Sequence, residues 1–457
     1  MSIFKDGLIR QGASGASDTG YQINQSIRFN DDDTAYMSKT ISSTSSRTTW
    51  TFSTWFKLAN ASINVSFCGL FSAVWNSSNF VNIAFSNSST YCLDFLLYNS
   101  NSTIGRLNAK KLLRDPSAWY HLVAVLDTTN DQANERMRLY INGERLTNFS
   151  TNTTPSKDAT PLANYATAVH SLGRAYNAGT YSGYYYDGYM AEIHLLDGYA
   201  YGPEFFGEFK DDTDIWIPKE YTGSYGTNGF KIDGRDASDL GDDESGQNND
   251  YTTSGLSADD QQPDSPTNNH AVFNPLDVTH HGYTVFSEGN LAVIYSGSNA
   301  RELARSTIKM PANTDAFFEV KMTATLGSGV DFALGIEDGS GLQDASNTTY
   351  SNAYVIREDG GFSTTGSTST TSYGVSFTNN DVIGVWRKAN GDLLFYKNGA
   401  VMNSGTPAVT GVTGEMHFVA GGFNGGAGIA RFASSQWTNT PTGVSSSMAL
   451  NSTNLGS

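Results

Sequence analysis

The segment RLYINGERL, residues 138–146, places Asn142 and Gly143 between two runs in which apolar and polar residues alternate. A two-residue type I′ turn requires positive φ at both central residues, which Asn tolerates and Gly adopts freely. The segment LLFYKNGAV, residues 393–401, repeats this pattern around a second Asn-Gly pair at 398–399. The sequence therefore predicts two β-hairpins of the same type, far apart in the chain.

The composition of the 457-residue chain favours an all-β protein. Charged residues make up 16% of the chain, against about 25% in typical globular proteins, and Ser, Thr, Asn and Gly take their place. These residues favour turns and short strands, while the 24 Tyr and 25 Phe suit half-buried pleated surfaces. The length exceeds one ordinary core, so we expect two or three domains.

The formal net charge of −17 would repel phosphates. We therefore expect no nucleic acid partner.

No segment approaches the roughly 20 apolar residues of a membrane-spanning helix, and MSIFKDGLIRQG lacks the apolar run of a signal peptide. We expect no membrane insertion and folding in a cytoplasm. Cys68 and Cys92 are expected to be free, buried thiols, with a disulfide only if their strands are neighbours.

Changes in pattern divide the chain into five segments. The first is polar and glycine-rich, and the second and fourth contain short alternating strands separated by polar turns, as in β-sandwiches. The third has ten acidic residues and one base, Arg235, between residues 233 and 264. This composition favours a solvated connector over the alternative of a cation site. We predict an arm, a sandwich, an acidic connector, a second sandwich and a tail at residues 1–24, 25–202, 203–276, 277–440 and 441–457.

The first sandwich resembles the laminin-G-like, concanavalin A-like jelly roll. The resemblance rests on the opening strand at 26–29, on WTFSTWFKL, on WYHLVAVLD before RLYING, and on the closing DGYMAEIHLLDGYAY. The second sandwich resembles the SPRY domain through FFEVKM, LGIED and DVIGVWRKANGDLLFYKNG. Both folds are two-sheet sandwiches with an Asn-Gly hairpin, so convergence explains the repeat better than internal duplication.

The chain also resembles whole proteins encoded by marine tailed bacteriophages. The segments that carry this resemblance are WIPKEYTGSYGTNGF, SPTNN and FNPLD, at residues 216–230, 265–269 and 273–277. The resemblance implies a virion structural protein, either a fibre or a capsid decoration, that is made in the host cytoplasm and assembles as a homo-oligomer on the virion surface.

The sequence lacks the marks of an enzyme. Retaining hydrolases need two carboxylates about 5 Å apart, and the acid-bearing strand segment AEIHL, residues 191–195, offers only Glu192. The Gly-x-Ser-x-Gly, Walker and His-Glu-x-x-His motifs are absent from the sequence. We expect His121 and His194 to face solvent or to be hydrogen-bonded, and His280 and His281 to make a poor metal pair.

Two loop regions are candidate ligand sites. Laminin-G-like relatives often hold calcium at a loop rim, which suggests Asp31, Asp32 and Asp187 as ligands, with solvated turn aspartates as the alternative. No cofactor is otherwise required. The segment TYSGYYYDGY could present tyrosines to sugar rings, or could be a strand with alternating core and surface tyrosines. The tyrosines proposed to contact sugar are Tyr181, Tyr184 and Tyr185.

The arm combines apolar Phe4, Leu8 and Ile9 with basic neighbours. We expect these three residues to bind other virion proteins, in the capsid or tail, with GASGAS as a flexible tether; a frayed terminus is the alternative. The sequence thus favours a non-enzymatic phage virion surface protein whose sandwiches bind host or environmental glycans or proteins. A free glycan-binding lectin and a polysaccharide-degrading enzyme are the alternatives.

Overall fold

The structure, a computed structural model, contains two compact units that divide between Asn268 and Asn269. Strands dominate both units, and the one α-helix within the described ranges is α1 (Ser452–Leu455). The predicted all-β class with β-sandwiches is confirmed. No described helix has the length and apolar character needed to span a bilayer. The structure describes residues 20–59, 67–86, 92–177, 179–181, 184–210, 213–278, 283–297, 302–326, 330–340, 353–364 and 371–455.

The strands of the first unit are β1 (Ser26–Phe29), β2 (Tyr36–Thr40), β3 (Thr49–Leu58), β4 (Phe67–Asn76), β5 (Asn79–Ser86), β6 (Cys92–Asn99), β7 (Ser102–Ala109), β8 (Tyr120–Asp127), β9 (Met137–Ile141), β10 (Glu144–Arg145), β11 (Phe149–Thr153), β12 (Val169–Leu172), β13 (Gly188–Asp197), β14 (Gly207–Phe209), β15 (Trp216–Pro218), β16 (Phe230–Ile232), β17 (Thr252–Ser254) and β18 (Gln261–Gln262).

Among its described residues, the first unit has two eight-stranded antiparallel sheets and a two-stranded sheet formed by β14 and β15. Sheet A has the order β10-β9-β8-β3-β13-β1-β18, with β16 also paired to β13, and sheet B has the order β11-β7-β6-β5-β4-β12-β2-β17. Alternate apolar residues of each strand point between the sheets because side chains alternate across a strand. Trp50 packs on Phe95 at 5.4 Å and Phe52 stacks on Phe71 at 5.0 Å, so aromatic rings join the two sheets.

The segment predicted to be a solvated acidic connector is instead divided between the two units, and that prediction is wrong. Residues 203–268 lie in the first unit, where β16 pairs with β13, β17 with β2 and β18 with β1. Residues 269–276 lie in the second unit. The segment therefore extends both sheets of the jelly roll.

The acidic residues of this segment find partners that composition does not reveal. Asp264 accepts from Lys57 at 2.7 Å and Asp260 pairs with Arg28 at 2.9 Å, so bases from distant strands compensate buried carboxylates. Asp243 accepts the backbone N–H of Lys231 at 2.8 Å. Such partners offset the cost of desolvating a carboxylate, which is why an acidic segment can pack.

The strands of the second unit are β19 (Phe273–Val278), β20 (Thr284–Ser287), β21 (Ala292–Tyr295), β22 (Glu302–Met310), β23 (Ala316–Met322), β24 (Asp331–Glu337), β25 (Ala353–Arg357), β26 (Gly361–Ser363), β27 (Thr371–Ser372), β28 (Val382–Arg387), β29 (Leu393–Lys397), β30 (Ala400–Val401), β31 (Met416–Phe423) and β32 (Gly426–Arg431).

Two seven-stranded antiparallel sheets form this second unit. Their orders are β19-β22-β31-β24-β25-β26-β27 and β20-β21-β32-β23-β28-β29-β30. Phe318 stacks on Phe418 at 4.1 Å and on Phe432 at 5.6 Å in the core between them. The predicted tail is not free over its described part, because Leu450 is buried and its carbonyl accepts from the backbone N–H of Ala271 at 2.9 Å.

Both Asn-Gly hairpins are confirmed. Asn142 and Asn398 each have φ of 50°, followed by Gly143 at 79° and Gly399 at 80°. These values match the positive φ that a type I′ turn requires at both central residues. The hairpins join β9 to β10 in the first unit and β29 to β30 in the second.

Most of the predicted arm lies outside the described residues, whereas the prediction for the two cysteines can be compared with the structure. Phe4, Leu8 and Ile9 lie outside the described residues, but Ile23, near the end of the predicted arm, is buried in the first unit.

Cys68 and Cys92 are free and buried, as predicted, and β5 separates their strands. Burial, followed by the charges of Asp187 and Asp31, raises the pKa of Cys68 to about 12.

Candidate functional site

The outer face of sheet B carries a groove of about 520 Å³. Strands β4 to β7 turn one row of side chains inward, since Phe71, Ile83, Phe95 and Leu107 are paired across neighbouring strands and buried in the core. The intervening side chains point outward. The residues that line this sheet B groove are Ser77, Phe80, Asn82, Asp94, Leu96, Tyr98, Asn101, Thr103, Arg106, Asn177 and Gly179.

A buried ion pair forms part of the groove lining. Arg106 donates from Nε to Oδ1 of Asp94 at 2.9 Å and from Nη2 to Oδ2 at 2.7 Å. The Asp94 side chain is fully buried, whereas that of Arg106 is 33% exposed. The hydrogen bonds from Arg106 to Asp94 raise the pKa of the guanidinium against the effect of burial. This two-point geometry holds the guanidinium in one orientation.

Aromatic rings form an apolar wall beside the ion pair. Phe80 stacks on Tyr98 at 4.8 Å, directly across from it in the strand register, and meets Tyr176 edge-on at 5.4 Å. The Asn82 side chain fixes Tyr176 by donating to its carbonyl at 2.7 Å and accepting from its backbone N–H at 3.2 Å. The wall is therefore held by hydrogen bonds as well as by packing.

The tyrosines singled out from the sequence lie beside the sheet B groove but do not line it. Tyr181 packs against Tyr176 at 5.0 Å, and the Arg174 guanidinium lies between the rings of Tyr181 and Tyr36, at 3.9 and 3.5 Å. Tyr185 also contacts Tyr36, at 6.2 Å. These rings support the segment that carries Tyr176. Tyr184 packs against Ala84 and Ala175.

Sequence reasoning missed the residues that line the groove. The signal was present in the strand segments NFVNIAFS, CLDFLLYN and STIGRLNA, whose outward positions hold Asn82, Asp94 and Arg106 among apolar inward positions. Alternation identifies an outward-facing residue but cannot tell which strands are neighbours. The tertiary structure was needed to bring these three strands side by side.

Calcium binding by Asp31, Asp32 and Asp187 stays a prediction. Asp31 and Asp32 lie in the turn after β1, where burial and then the charge of Asp32 raise the pKa of Asp31. The carbonyl of Asp187 accepts from the backbone N–H of Ala59 at 3.2 Å. Within the described ranges, no three His, Cys, Asp or Glu side chains are placed to hold a metal ion together.

The outer face of sheet A carries a second polar cluster, centred on Glu192. A β-bulge in β13 gives Glu192 a φ of 48° and turns it to the same face as His194. Its carboxylate contacts Nε2 of His194 at 3.1 Å, the Tyr21 hydroxyl at 2.9 Å and Nζ of Lys231 at 3.3 Å. Burial raises the pKa of Glu192, but the hydrogen bond and charge of His194 and the charge of Lys231 together lower it to about 2.

His121 completes this cluster in a form that cannot act as a base toward serine. The indole N–H of Trp216 donates to Nδ1 of His121 at 3.0 Å. Since Nδ1 must accept, Nε2 carries the proton and donates to Oγ of Ser53 at 2.9 Å. Burial and then the charge of His194 lower the pKa of His121 to about 3. The gap lined by these groups has no room for a water molecule.

The two strand histidines are hydrogen-bonded, as one of the predicted alternatives requires. Both are buried, so the solvent-facing alternative is wrong for His121 and His194. His280 and His281 lie outside the described residues. The carboxylate expected at residues 191–195, that of Glu192, has partners in the folded unit on both of its oxygens. Strand β13 also contains Asp197.

Residues 30–200 match the family model Laminin_G_3, described as the concanavalin A-like lectin/glucanases superfamily. No curated protein matches the chain significantly. Together with the two-sheet topology, the family match identifies the first unit as a concanavalin A-like jelly roll, as expected from the sequence.

Solved structures that resemble the chain include SPRY domains. A human SPRY domain is 14% identical with a TM-score of 0.27, and the match covers 33% of this chain and 95% of that domain. The CBM40 of Ruminococcus gnavus IT-sialidase, solved with α2,3-sialyllactose, is 14% identical with a TM-score of 0.26, covering 40% and 90%. A SAP-like pentraxin from Limulus polyphemus is 14% identical with a TM-score of 0.29, covering 40% and 80%.

Proposed function

We propose that this chain is a non-enzymatic glycan-binding protein displayed on the surface of a phage particle, as a fibre or a capsid decoration. The observation that supports glycan binding is the sheet B groove, in which the Asp94–Arg106 pair lies beside the Phe80 and Tyr98 rings. Its volume of about 520 Å³ falls within the roughly 300–1,000 Å³ of small-ligand pockets.

The chemistry of the groove suits a sugar. A pyranose ring has an apolar face of C–H groups and an edge of hydroxyl groups. An aromatic wall can cover the apolar face, while the guanidinium of Arg106, held by Asp94, can donate to hydroxyl oxygens. Asn101, Thr103 and Asn177 supply further polar groups around the same groove.

Display on a particle is supported by the resemblance of residues 216–230, 265–269 and 273–277 to phage virion proteins. In this proposal the chain is made in the host cytoplasm and assembles as a homo-oligomer on the virion. The arm binds a capsid or tail protein, and the partner of the sheet B groove is a glycan on the host or in the surroundings. The contacts of Glu192 support a non-enzymatic role. Its carboxylate oxygens are engaged by Tyr21, His194 and Lys231 within the folded unit.

Replacement of Tyr98 by Ala tests the glycan-binding role. Loss of the Tyr98 ring removes one of the two aromatic rings among the described residues that line the groove and should weaken glycan binding by about tenfold or more. The measurement is titration of the full chain with the best ligand from a glycan array. Tyr283→Ala, which removes an exposed tyrosine of the second unit, is the control and should leave affinity unchanged. Equal affinity of wild type and Tyr98→Ala would refute this role.

A free glycan-binding lectin is the second candidate, because the sheet B groove would serve it equally well. The two candidates differ in attachment to a particle. Sedimentation with purified particles, before and after removal of residues 1–12, separates them. A virion protein sediments with particles only when the arm is present, whereas a free lectin does not sediment in either form. If the full and the shortened chain both sediment with particles, another part of the chain provides the attachment.

A further inference from the structure

The sheet B groove has balanced charge. Among the described residues that line it, Asp94 and Arg106 are the two that are charged at neutral pH, and they neutralise each other. The remaining polar side chains of the lining carry amides and hydroxyls, and they belong to Ser77, Asn82, Tyr98, Asn101, Thr103 and Asn177. A ligand in the groove therefore meets hydrogen-bonding groups but no net charge.

Burial of Asp94 makes an acidic ligand unfavourable. The Asp94 side chain is fully buried, so its charge is compensated by Arg106 and hardly by water. A uronate or sulfate group in the groove would compete with Asp94 for Arg106 and would place a second negative charge beside a desolvated carboxylate. The net charge of −17 adds repulsion at longer range.

Arg106 can still donate to an uncharged ligand. Its pairing with Asp94 uses Nε and Nη2, and its Nη1 makes no hydrogen bond with any described residue. A hydroxyl or ring oxygen can accept from Nη1 without disturbing the ion pair. A cationic sugar has no equivalent place, because the oxygens of Asp94 already accept three hydrogen bonds from Arg106.

We infer that the sheet B groove selects uncharged oligosaccharides over uronate-bearing or sulfated ones. This inference rests on the proposed glycan-binding role of the same groove. Selectivity arises because the buried Asp94–Arg106 pair offers hydrogen bonds without net charge, beside the apolar surface of Phe80 and Tyr98.

The test is an array of neutral tetrasaccharides of glucose, mannose and galactose beside their uronate and sulfated counterparts, probed with the full chain at low and high salt. We expect each bound neutral sugar to exceed its acidic counterpart by about tenfold or more in affinity. Binding should change little with salt, because no net charge is involved. Equal or tighter binding of the acidic forms would overturn the inference.

A charge-changing variant gives a second readout. Asp94→Asn leaves Arg106 uncompensated and should shift the ratio of acidic to neutral binding upward by about tenfold. Asp131→Asn is the matched control, because it removes the same charge from the exposed pair with Lys157. It should leave the ratio unchanged. An unchanged ratio in folded Asp94→Asn, as judged by its melting curve, would count against the inference; if the variant does not fold, the wild-type array decides.

The two hypotheses fail in different ways. If binding requires Tyr98 but acidic sugars bind as well as neutral ones, the glycan-binding role stands and the selectivity is wrong. If no array member binds in a Tyr98-dependent manner, the proposed role of the groove is wrong, and the inference is overturned with it.

Discussion

At the scale of single residues, the two hairpin asparagines, Asn142 and Asn398, make the same pair of hydrogen bonds to the neighbouring strand in two separate units. The Asn142 Oδ1 accepts from the backbone N–H of His121 at 2.7 Å, and the Asn398 Oδ1 accepts from that of Val382 at 2.8 Å. Each asparagine N–H also donates to the carbonyl of the same partner. Positive φ explains Asn or Gly at this position, but the side-chain hydrogen bond favours Asn.

Replacement of Asn398 separates these two contributions. Asn398→Gly keeps the positive φ and loses both side-chain hydrogen bonds, the one from the Val382 N–H and the one that its Nδ2 donates to Oδ1 of Asp381 at 2.8 Å. We expect it to lower the free energy of unfolding by about 1–2 kcal/mol. Asn398→Ala should cost about 1–2 kcal/mol more, because alanine disfavours this backbone conformation. Urea unfolding of the full chain measures both variants.

Asn380 provides the control for this comparison. It is exposed and has φ of 70°, and its side chain makes no hydrogen bond with the described residues. Asn380→Gly should therefore leave the free energy of unfolding nearly unchanged. Equal losses for Asn380→Gly and Asn398→Gly would show that the side-chain hydrogen bonds of Asn398 contribute nothing.

At the scale of elements, the decisive feature is how residues 203–268 cover the outer face of sheet A. Lys57 of β3 points to this face and is fully buried, with its Nζ 2.7 Å from Oδ2 of Asp264. The indole N–H of Trp119 donates to Oδ1 of the same aspartate at 3.0 Å. Asp264 thus joins the acidic segment to β3 and to the residue that directly precedes β8.

Lys57→Met tests whether this pair holds the segment. The substitution leaves Asp264 buried without its cation, so we expect the first unit to lose about 3–5 kcal/mol of stability. The double substitution Lys57→Met with Asp264→Asn should lose less, because no unpaired charge remains. Thermal and urea unfolding measure these changes.

An exposed ion pair supplies the comparison for Lys57→Met. Lys157 pairs with Asp131 at 2.6 Å on the surface, where water and salt screen the charges. Lys157→Met should leave unfolding unchanged within error. A loss from Lys57→Met no larger than that from Lys157→Met would refute the role assigned to Asp264.

At the scale of the whole molecule, buried neutral histidines make stability depend on pH. Burial, as the largest effect, lowers the pKa of His121 to about 3 and the pKa values of His170 and His417 to about 4. Unfolded histidines titrate near pH 6.5. The unfolded chain therefore binds more protons below this pH, and stability falls as pH decreases from about 6.5 toward 4.

Glu358 has the opposite effect on the second unit. Burial and then the charge of Asp331 raise the pKa of Glu358 to about 7. The folded unit binds this proton more tightly than the unfolded chain does, so stability falls as pH rises from about 4.5 to 7. In the second unit this change opposes that of His417, whereas the first unit contains both His121 and His170.

We therefore expect acidification from about pH 6.5 to 5 to destabilise the first unit more than the second. Each buried histidine contributes up to about 1.4 kcal/mol per pH unit. Native-state hydrogen exchange at β3 and β31 reports the two units separately. Glu358→Gln should make the second unit more sensitive to acid, and Lys157→Met should not. Equal pH dependence of the two units in the wild type would contradict this assignment.

The sequence by itself determined the strands, their turns and the two sandwiches, because strand alternation and Asn-Gly turns depend on residues that are close in the chain. It could not determine that the acidic residues 203–268 pack on the jelly roll, since composition counts charges such as Asp264 without their distant partners. Nor could it identify the sheet B groove, which exists only where β5, β6 and β7 lie side by side. The tertiary structure decided both, because burial and charge compensation depend on contacts between residues far apart in sequence.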